Sequence, residues 1–525
     1  MHARNPYKNG IDFRRLTGNY ESLRTHIYLT NDGQCSLDFR DENAQRCCRE
    51  LTKAILKCDF GVDLELPEDR LCPPVPNRLN YILWIQDIIA ASRWSKSGPG
   101  TAERRIRGLD IGTGASAIYP LLACSLEGGW QMVGTELDHK SYEYAKRNVD
   151  MSDMSTRIQI REAGAEILGP LFDEREESFD FTMCNPPFYS SQTEIERLKG
   201  EKEGLPSQVC TGGELEMVYS GVASSDDDWE RQGGEVAFVG RMVSESARVR
   251  ERCRWFTSML GRLSSVPKIT AVLKCFEISN YIVTEFVQGR TRRWAIGWSF
   301  DSWRIPDDIG RLSHLPATHP MHSIQPHRTT LKYPVPVREQ DGVSGRQAVH
   351  RQLLDILSHL GAVDERKLSA GASLSDQDGE RTIVFKAREN TWSRAARRKR
   401  KRADKTEAPV DGPHKRPKEG LGTALSEPPI APASSVPTPA TSPPVQLEAS
   451  EETHWTLICA TSIVVDKPEL QQVSTDPNVQ SDARDPLDDT ERLCIEFQWV
   501  YGHDRSLFES FAGHVGRKVG TMVLA

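Results

Sequence analysis

The residues best suited to chemistry are Asn185, Pro186, Pro187 and Phe188, which follow the apolar run FDFTMC at 179–184. Neither proline can donate to a β-sheet ladder, so a strand over this run must end near Asn185. An asparagine oxygen and a proline carbonyl can together accept both hydrogens of an NH₂ group, while an aromatic ring stacks on the flat ring that carries it. Such contacts localise the nitrogen lone pair for attack. A kinked strand end that packs Phe188 into the core is the alternative interpretation.

A second segment, RGLDIGTGASAIYPLL at 107–122, predicts a strand that ends at Asp110 and turns through Gly112 and Gly114 into a helix. Glycines let the backbone approach a ligand closely, and a helix N-terminus offers unpaired N–H groups. The spacing departs from GxGxxG because residue 117 is alanine. Taken alone, this segment also fits an ordinary glycine-rich turn.

A third segment, WQMVGTELD at 130–138, predicts a strand that ends at Glu136. An acid at the end of the second strand of such a sheet can accept both hydroxyls of a ribose, although a solvated surface charge has the same sequence signature. Asp138 is better interpreted as the cap of the next helix.

Together the three segments suit the transfer of a methyl group from a sulfonium, held over the glycine turn, to a planar amine. In-line transfer of this kind is promoted mainly by positioning and requires no strong general base.

The elements that must position these residues lie in residues 101–305, where strand-like and helix-like segments alternate. This pattern predicts an α/β fold with helices on both faces of a sheet. The predicted strands are 105–110, 131–136, 157–161, 179–184, 255–260, 281–286 and 292–300. A closely spaced last pair indicates a mostly parallel sheet closed by one antiparallel strand. Open α/β sheets bind ligands at the carboxyl ends of their strands, where strand order reverses.

Three further regions flank this predicted domain. Residues 1–100 form a mostly helical lead-in, 306–345 a linker, and 346–525 a small α/β unit. An insertion at about 390–453 interrupts the last unit, and its basic and proline-rich composition predicts disorder.

Composition excludes several classes of protein. No window reaches 18 uninterrupted apolar residues and the first ten residues do not resemble a signal peptide, so we expect an intracellular protein with no membrane contact. The 12 cysteines contain no CxxC pair, so we predict no metal site.

Basic residues indicate RNA as a partner, although any single one also fits a solvated face. They lie on an N-terminal arm, in a loop at 196–208 beside the Asn-Pro-Pro-Phe segment, and in two arginine-rich stretches. They are Arg4, Lys8, Lys199, Arg248, Arg250, Arg252, Arg254, Arg290, Arg292 and Arg293. If they line one cleft, they form a groove for the RNA backbone with strongly salt-dependent binding.

Several separated motifs resemble the methyltransferase-like-16 family over residues 1–303. They are MHARNPY, VPNRLNYI, DIGTGASAIYPLL, CNPPF, TGGELE and TEFVQGRTRRWAIGWSF. The resemblance implies a Rossmann-like class I methyltransferase sheet and S-adenosylmethionine-dependent N6 methylation of an adenosine in U6 small nuclear RNA. Bacterial relatives act on 23S rRNA.

The resemblance also implies roles for single residues. Arg78 contacts the methionine end of the cofactor, Asp110, Gly112 and Gly114 line its site, Glu136 holds its ribose and Ile167 touches its adenine end. Asn185, which also borders the cofactor, forms with Pro186, Pro187 and Phe188 the catalytic clamp on the target adenine.

Two departures from the family pattern matter. An acidic segment at 219–232 separates two GGE sequences, which leaves open which of them occupies the family position. The C-terminal unit matches a family RNA-binding module in layout only. Its basic runs RRKRKR and HKRPK suit a bipartite nuclear signal, so a nuclear protein is expected.

Two other functions stay open at this point. The same Asn-Pro-Pro-aromatic clamp serves enzymes that methylate rRNA or DNA adenine, cytosine or protein glutamine, because each acceptor presents a planar NH₂. The second open function is that of a non-catalytic RNA-binding splicing factor that retains the fold.

Overall fold

The computed structural model divides the chain into two compact units, residues 1–330 with 498–501, and residues 331–497 with 502–525. The residues that it describes are 1–29, 35–37, 44–92, 105–173, 178–186, 234–289, 291–312, 315, 319–335, 342–367, 381–396, 398, 455–466 and 492–523. The first boundary between the two units, after residue 330, falls inside the predicted linker at 306–345.

The strands of the described residues agree closely with the predicted ones in the central region. They are β1 Ile27–Leu29, β2 Cys35–Leu37, β3 Ile106–Ile111, β4 Trp130–Glu136, β5 Ile158–Glu162, β6 Phe179–Cys184, β7 Cys253–Leu260, β8 Tyr281–Gln288, β9 Thr291–Trp298, β10 Thr330–Pro334, β11 Ala362–Lys367, β12 Arg381–Ala387, β13 Leu457–Asp466 and β14 Arg492–Tyr501.

The α-helices connect and cover these strands. They are α1 Phe13–Asn19, α2 Ala44–Phe60, α3 Val75–Ser92, α4 Ile118–Leu126, α5 His139–Met151, α6 Gly169–Phe172, α7 Gly234–Val249, α8 Ser265–Cys275, α9 Asp307–Gly310, α10 Gly342–Ser358 and α11 Arg505–Val523. Short 3₁₀ helices cover Pro6–Asn9, Glu21–His26, Arg250–Arg252 and Pro320–Ser323.

The first unit is built on a seven-stranded sheet with the order β5-β4-β3-β6-β7-β9-β8. The pairs β3–β4, β4–β5, β3–β6 and β6–β7 are parallel, and β9 runs antiparallel to both β7 and β8. The predicted α/β sheet with one antiparallel strand is therefore confirmed. Because the chain moves outward from β3 to β5 and then returns to β6, strand order reverses beside β3.

Helices cover both faces of this sheet. One core joins α2, α3 and α4 to apolar side chains of the sheet such as Phe181 and Trp255. The other core joins α7 and α8 to the opposite face, around Phe256 and Trp298. The arrangement is a three-layer sandwich, and its buried parallel strands are accordingly rich in apolar residues.

The lead-in at 1–100 is not a separate compact unit, because α3 packs directly on the sheet. Its buried side chains include Leu79, Tyr81, Ile82 and Ile85, which lie on more than one side of the helix. A helix that is apolar on most of its surface must be covered on most of its surface.

Several elements were not predicted. The hairpin β1–β2 lies in the lead-in, α7 follows the acidic segment, β10 lies in the predicted linker, and β11 precedes β12. Short or mixed-polarity segments of this kind carry a weak periodic signal.

The second unit contains most of a five-stranded sheet with the order β10-β14-β13-β12-β11. Phe385 of β12 stacks on Phe511 of α11 with ring centroids 4.4 Å apart, and Trp392 packs edge-on against the same ring. The predicted small α/β unit is present, whereas the insertion predicted at about 390–453 lies almost wholly outside the described residues.

Among the described residues, no helix has the length and apolar character needed to cross a membrane. The same part of the chain holds no cluster of three His, Cys, Asp or Glu side chains arranged for a metal ion.

The close packing of β3 against β4 and β6 generates a testable prediction at Gly108. A Cβ atom on this residue would overlap the ring of Phe181 and lie 2.6 Å from the Met132 sulfur. We expect Gly108→Ala to lower the free energy of unfolding by about 1–3 kcal/mol through overpacking, measured by urea denaturation.

The matched control is Gly128→Ala in an exposed turn, where a Cβ atom would meet nothing within 4 Å. We expect this control to change stability by less than about 0.5 kcal/mol. Equal effects of the two substitutions would contradict the packing assigned to β3.

Candidate active site

Three strand ends bring the candidate residues to one edge of the sheet. Ile111 of β3 pairs with Thr135 of β4 on one side and with Cys184 of β6 on the other. In each strand the next residue along the chain is a predicted site residue, namely Gly112, Glu136 and Asn185. The parallel register therefore aligns all three at the carboxyl edge, beside the point where strand order reverses.

The glycine turn after β3 has the backbone that the sequence predicted. Gly112 and Gly114 have φ values of 69° and 65°, in the left-handed region that favours glycine. The Thr113 amide donates to the Thr135 carbonyl at 2.8 Å, which fixes the turn to β4. A Cβ atom on Gly112 would meet nothing within 4 Å, so open space lies against this backbone.

Glu136 forms part of the same turn. One carboxylate oxygen accepts the Gly114 amide at 2.8 Å, and the other accepts the Leu137 and Asp138 amides at 3.0 and 2.9 Å. The side chain is only 6% exposed, and burial raises its pKa above the ordinary value although the three amide hydrogen bonds act to lower it. Glu136 thus joins β4 to the glycine turn, a contact that sequence reasoning did not predict.

Asp138 is the helix cap that the sequence predicted. It accepts the Ser141 amide at 2.9 Å at the start of α5. The Arg70 guanidinium donates to it at 2.7 Å. Although burial acts to raise the pKa of Asp138, these hydrogen bonds lower it to about 2.

Arg78 lies near the start of α3 and faces the first turn of α4. Its Nη1 donates to the Tyr119 hydroxyl at 3.3 Å, and its guanidinium carbon lies 5.6 Å from the centre of the Tyr119 ring. Its Nε is buried and has no hydrogen-bond partner in the described part of the chain. An arginine held by a neutral hydroxyl retains donors for an anionic group.

The segment 163–168 lies beside Glu136, because the Ala163 amide donates to the Glu136 carbonyl at 2.8 Å. Two side chains of α7 hold its other end. Glu245 accepts the Leu168 amide at 2.8 Å, and Arg241 donates to the Ala165 carbonyl. The Ile167 side chain is 7% exposed and belongs to the core beneath the segment. Its predicted contact with the cofactor is therefore not made by an exposed side chain.

The second GGE sequence, at 233–235, lies at the start of α7, where its glutamate binds a neighbouring turn. Glu235 accepts the Gly261 and Arg262 amides at 2.6 and 3.2 Å, and it also accepts the Ser265 hydroxyl. This carboxylate therefore holds the turn that follows β7 at the same edge of the sheet. The first GGE sequence, at 212–214, lies outside the described residues.

Asn185 is half-buried directly after β6, and Pro186 is buried beside it. The Asn185 Oδ1 atom is buried and accepts no hydrogen bond from any residue that the structure describes. A buried acceptor without a partner is costly unless a ligand satisfies it. Pro187 and Phe188 lie outside the described residues.

The predicted RNA-binding residues that the structure describes lie at both edges of the sheet and on the N-terminal arm. Arg252 and Arg254 lie at the start of β7, where Cys253 pairs with Phe179, the first residue of β6. This is the amino edge of the sheet, opposite Asn185. Arg248 and Arg250, which precede them, cover the rings of Phe172 and Phe300.

The other basic residues have different positions. Arg292 and Arg293 lie near the carboxyl end of β7, because Leu260 pairs with Trp294, and Arg292 donates to Glu285 at 3.1 Å. On the N-terminal arm, Arg4 contacts Gln86, Asp87 and the Leu83 carbonyl of α3.

Lys8 donates to the Ala3 carbonyl at 3.0 Å. Lys199 and Arg290 lie outside the described residues. RNA contact by all of these residues stays a prediction.

Three site residues were missed by sequence reasoning. Leu137 is 49% exposed directly beside Glu136, Thr113 has a buried hydroxyl without a partner in the described residues, and Tyr119 contacts Arg78. An apolar residue after a strand-end acid is a usable signal for Leu137. The other two depend on contacts between distant segments, which no local pattern reveals.

Comparison with known proteins identifies the family of this chain. A family model described as RNA methyltransferase matches residues 1–302. The chain is 35% identical over 415 residues to the RNA N(6)-adenosine-methyltransferase METTL16 of Gallus gallus, which covers 77% of this chain and 68% of that protein.

It is also 36% identical over 363 residues to the U6 small nuclear RNA (adenine-(43)-N(6))-methyltransferase of Schizosaccharomyces pombe, covering 69% of this chain and 82% of that protein. A crystal structure of the human METTL16 catalytic domain with the MAT2A 3'UTR hairpin 1 is 36% identical with a TM-score of 0.49, over 60% of this chain and 99% of that one. The family model spans more than half of the chain, including β3, β4, β6 and the residues at their ends, and the chain therefore belongs to the RNA methyltransferase family.

Proposed function

We propose that this protein transfers a methyl group from S-adenosylmethionine to the N6 nitrogen of an adenosine in RNA, and that U6 small nuclear RNA is the acceptor. The observation that carries the proposal is the register of Ile111 with Thr135 and Cys184. It brings a glycine turn, a buried carboxylate and an asparagine to one edge of the sheet, and the asparagine Oδ1 has no partner among the described residues.

The residues at this edge fit S-adenosylmethionine. The open space against Gly112 admits a ligand close to the backbone. The Arg78 Nε, which has no partner within the described ranges, suits the carboxylate of the methionine part. Glu136 suits the ribose hydroxyls, since a carboxylate oxygen that accepts one amide retains lone pairs. The exposed Leu137 side chain offers an apolar surface to the adenine ring.

When bound, the cofactor supplies a methyl group on a positively charged sulfur. The chain's own contribution is positioning, since Asn185 Oδ1 and the Pro186 carbonyl accept the two hydrogens of the adenine amino group. These hydrogen bonds draw the nitrogen lone pair out of the ring and direct it toward the methyl group. Stacking by Phe188, predicted from the sequence, completes the clamp.

U6 small nuclear RNA is proposed as acceptor because the Schizosaccharomyces pombe relative, 82% of which the chain covers, is named for that substrate. Arg292 and Arg293 lie toward the Asn185 edge and are the described arginines best placed for the RNA backbone. Binding through such contacts weakens steeply with salt.

The deciding experiment is transfer of labelled methyl from S-adenosylmethionine to a U6 RNA, beside the same RNA with its candidate adenosine replaced. Label that depends on the adenosine supports the proposal. Salt-sensitive RNA binding without label would exclude this acceptor and favour either another planar amine or a non-catalytic RNA-binding role.

We expect Asn185→Ala to lower kcat by about 100-fold or more, because an active-site hydrogen-bonding group is typically worth this factor. Cofactor affinity and thermal stability should change little. Asn19→Ala, at an exposed asparagine on α1, is the control and should retain full activity. Unchanged transfer by Asn185→Ala would refute the clamp.

We expect cofactor affinity to fall as pH is lowered, because a protonated Glu136 accepts hydrogen bonds poorly. Since burial raises its pKa, the decline should begin at a higher pH than for an exposed glutamate. Glu136→Gln should lower affinity about 10- to 100-fold, the equivalent of ~1.5–3 kcal/mol for hydrogen bonds to a charged group, and should remove this pH dependence. Calorimetric titration across pH measures both effects.

Glu162→Gln is the matched control, because Glu162 is the register partner of Glu136 on β5 but its side chain is 65% exposed. It should reproduce the wild-type affinity and pH profile. A control that loses affinity equally would show that the effect comes from general charge and not from the ribose contact.

We further propose that the protein acts in the nucleus, on the support of the two basic runs at 397–402 and 414–418. Alanine substitution of 397–402 should move a fluorescent fusion from the nucleus to the cytoplasm of a eukaryotic cell. Substitution of 404–407, between the runs, should leave it in place, and nuclear retention of the first variant would exclude the signal.

A further inference from the structure

The backbone ladder between β6 and β7 has a gap just before the candidate active site. Their backbone register covers Phe179 with Cys253 and Phe181 with Trp255, and it extends no further along these fully described strands. Closer to Asn185 the two strands are joined through threonine hydroxyls. Thr257 Oγ1 donates to the Thr182 carbonyl at 2.7 Å, and the Thr257 amide donates to Thr182 Oγ1 at 3.2 Å.

The Tyr81 hydroxyl of α3 enters this gap from one face of the sheet. It lies 2.7 Å from Thr257 Oγ1 and accepts the Cys184 amide at 3.3 Å. Because an amide can only donate and a carbonyl can only accept, the proton order is fixed along the chain of hydrogen bonds. Cys184 N–H donates to Tyr81, Tyr81 donates to Thr257, and Thr257 donates to the Thr182 carbonyl.

We call the hydrogen-bonded series Cys184–Tyr81–Thr257–Thr182 the hydroxyl relay. It begins at Cys184, the residue before Asn185, and ends at Thr182, also on β6. It replaces the ladder where the ladder stops. Cys184 is buried, and a buried polar group without a hydrogen bond is costly, so the Tyr81 hydroxyl stabilises the Cys184 amide at the end of β6.

The ring of Tyr81 cannot easily turn away from the relay. Tyr119 packs edge-on against it at 5.6 Å, and Trp84 and Phe286 lie at 6.1 and 6.0 Å between ring centroids. Burial raises the pKa of Tyr81 well above its ordinary value, so the hydroxyl keeps its proton over the working range of pH. Tyr119 also accepts a hydrogen bond from Arg78, which lies one turn before Tyr81 on α3.

We propose that Tyr81 is a positioning residue for Asn185: its hydroxyl bridges the gap between β6 and β7 and thereby sets the direction of the Asn185 carboxamide. This inference rests on the proposed function and assigns that site a support on α3. It also gives a physical link between the helix that carries Arg78 and the strand that carries the clamp.

The test is Tyr81→Phe, which keeps the ring and removes one oxygen atom. We expect kcat for methyl transfer to fall about 10- to 100-fold, because a small misplacement of reacting groups has an effect of this size. The affinities for cofactor and RNA should stay within about twofold. This separation of kcat from binding distinguishes positioning from a general loss of folding.

Ser92→Ala is the matched control. Ser92 lies on the same helix, is 1% exposed, and accepts the Trp255 indole N–H at 3.0 Å far from Asn185. The Ser92→Ala substitution removes a buried hydroxyl of similar stabilising value. The Tm of this variant should therefore fall about as much as that of Tyr81→Phe, while its kcat is retained. Equal kcat values for the two variants, each measured well below its Tm, would overturn the proposal.

A double substitution tests the relay itself. If Tyr81 acts through Thr257, then Tyr81→Phe, Thr257→Val and the double variant should lower kcat by similar factors. Effects that multiply would mean that the two hydroxyls act independently, and the relay would be rejected.

Hydrogen exchange gives a readout that does not depend on activity. Amides of the peptide covering 180–186 should exchange faster in Tyr81→Phe than in the wild type and in Ser92→Ala. Unchanged exchange would overturn the positioning role whether or not the wild type methylates U6 RNA. A wild type without transfer would refute the proposed function alone.

Discussion

The backbone pairing of β3 with β4 on one side and β6 on the other is the constraint on which the site depends. Parallel strands end at the same edge, and the pairs Ile111–Thr135 and Ile111–Cys184 place the three site residues that follow at one level. A shift of one residue in β6 would move its side chains to the opposite face and turn Asn185 away from the glycine turn. The tight contact of Gly108 with Phe181 and Met132 holds this register from the middle of the strands.

The buried polar groups around this edge divide into two kinds. Glu136 and Glu235 are each satisfied by backbone amides of a neighbouring turn, so their charges fix the local backbone although burial raises the pKa of both carboxyl groups. Arg78 Nε and Asn185 Oδ1 are buried without partners in the described residues. The first kind builds a rigid frame, and the second kind presents a donor and an acceptor to a ligand, as expected of a preorganised site.

Two helices from opposite faces of the sheet support this frame. From one face, α7 holds the turn after β7 through Glu235 and the segment 163–168 through Arg241 and Glu245. From the other face, α3 carries Arg78 toward the glycine turn and Tyr81 into the gap beside Cys184. The edge that carries the candidate site is therefore fixed by side chains from segments far apart in the sequence. A substitution in either helix can alter the site without touching a ligand.

The sequence by itself determined the elements whose signals are local. Apolar runs bounded by turn residues predicted the strands of the seven-stranded sheet, paired glycines predicted the turn at Gly112 and Gly114, and Asp138 was correctly predicted as the cap of α5. These features depend on backbone preferences and hydrogen bonds within a few residues. The positions of Glu136, the glycines and Asn185 at strand ends were predicted for the same reason.

Only the tertiary structure decided the contacts between distant segments. It packed the lead-in helix α3 into the core, gave Glu136 the Gly114 amide and Arg78 the Tyr119 hydroxyl, and placed Arg252 and Arg254 at the edge opposite Asn185. The sequence did not show that Arg252 and Arg254 lie at the opposite edge from Arg292 and Arg293, because spacing along the chain does not say at which end of a parallel strand a residue lies. Strand direction and order are set by long-range pairing, and no local pattern carries that information.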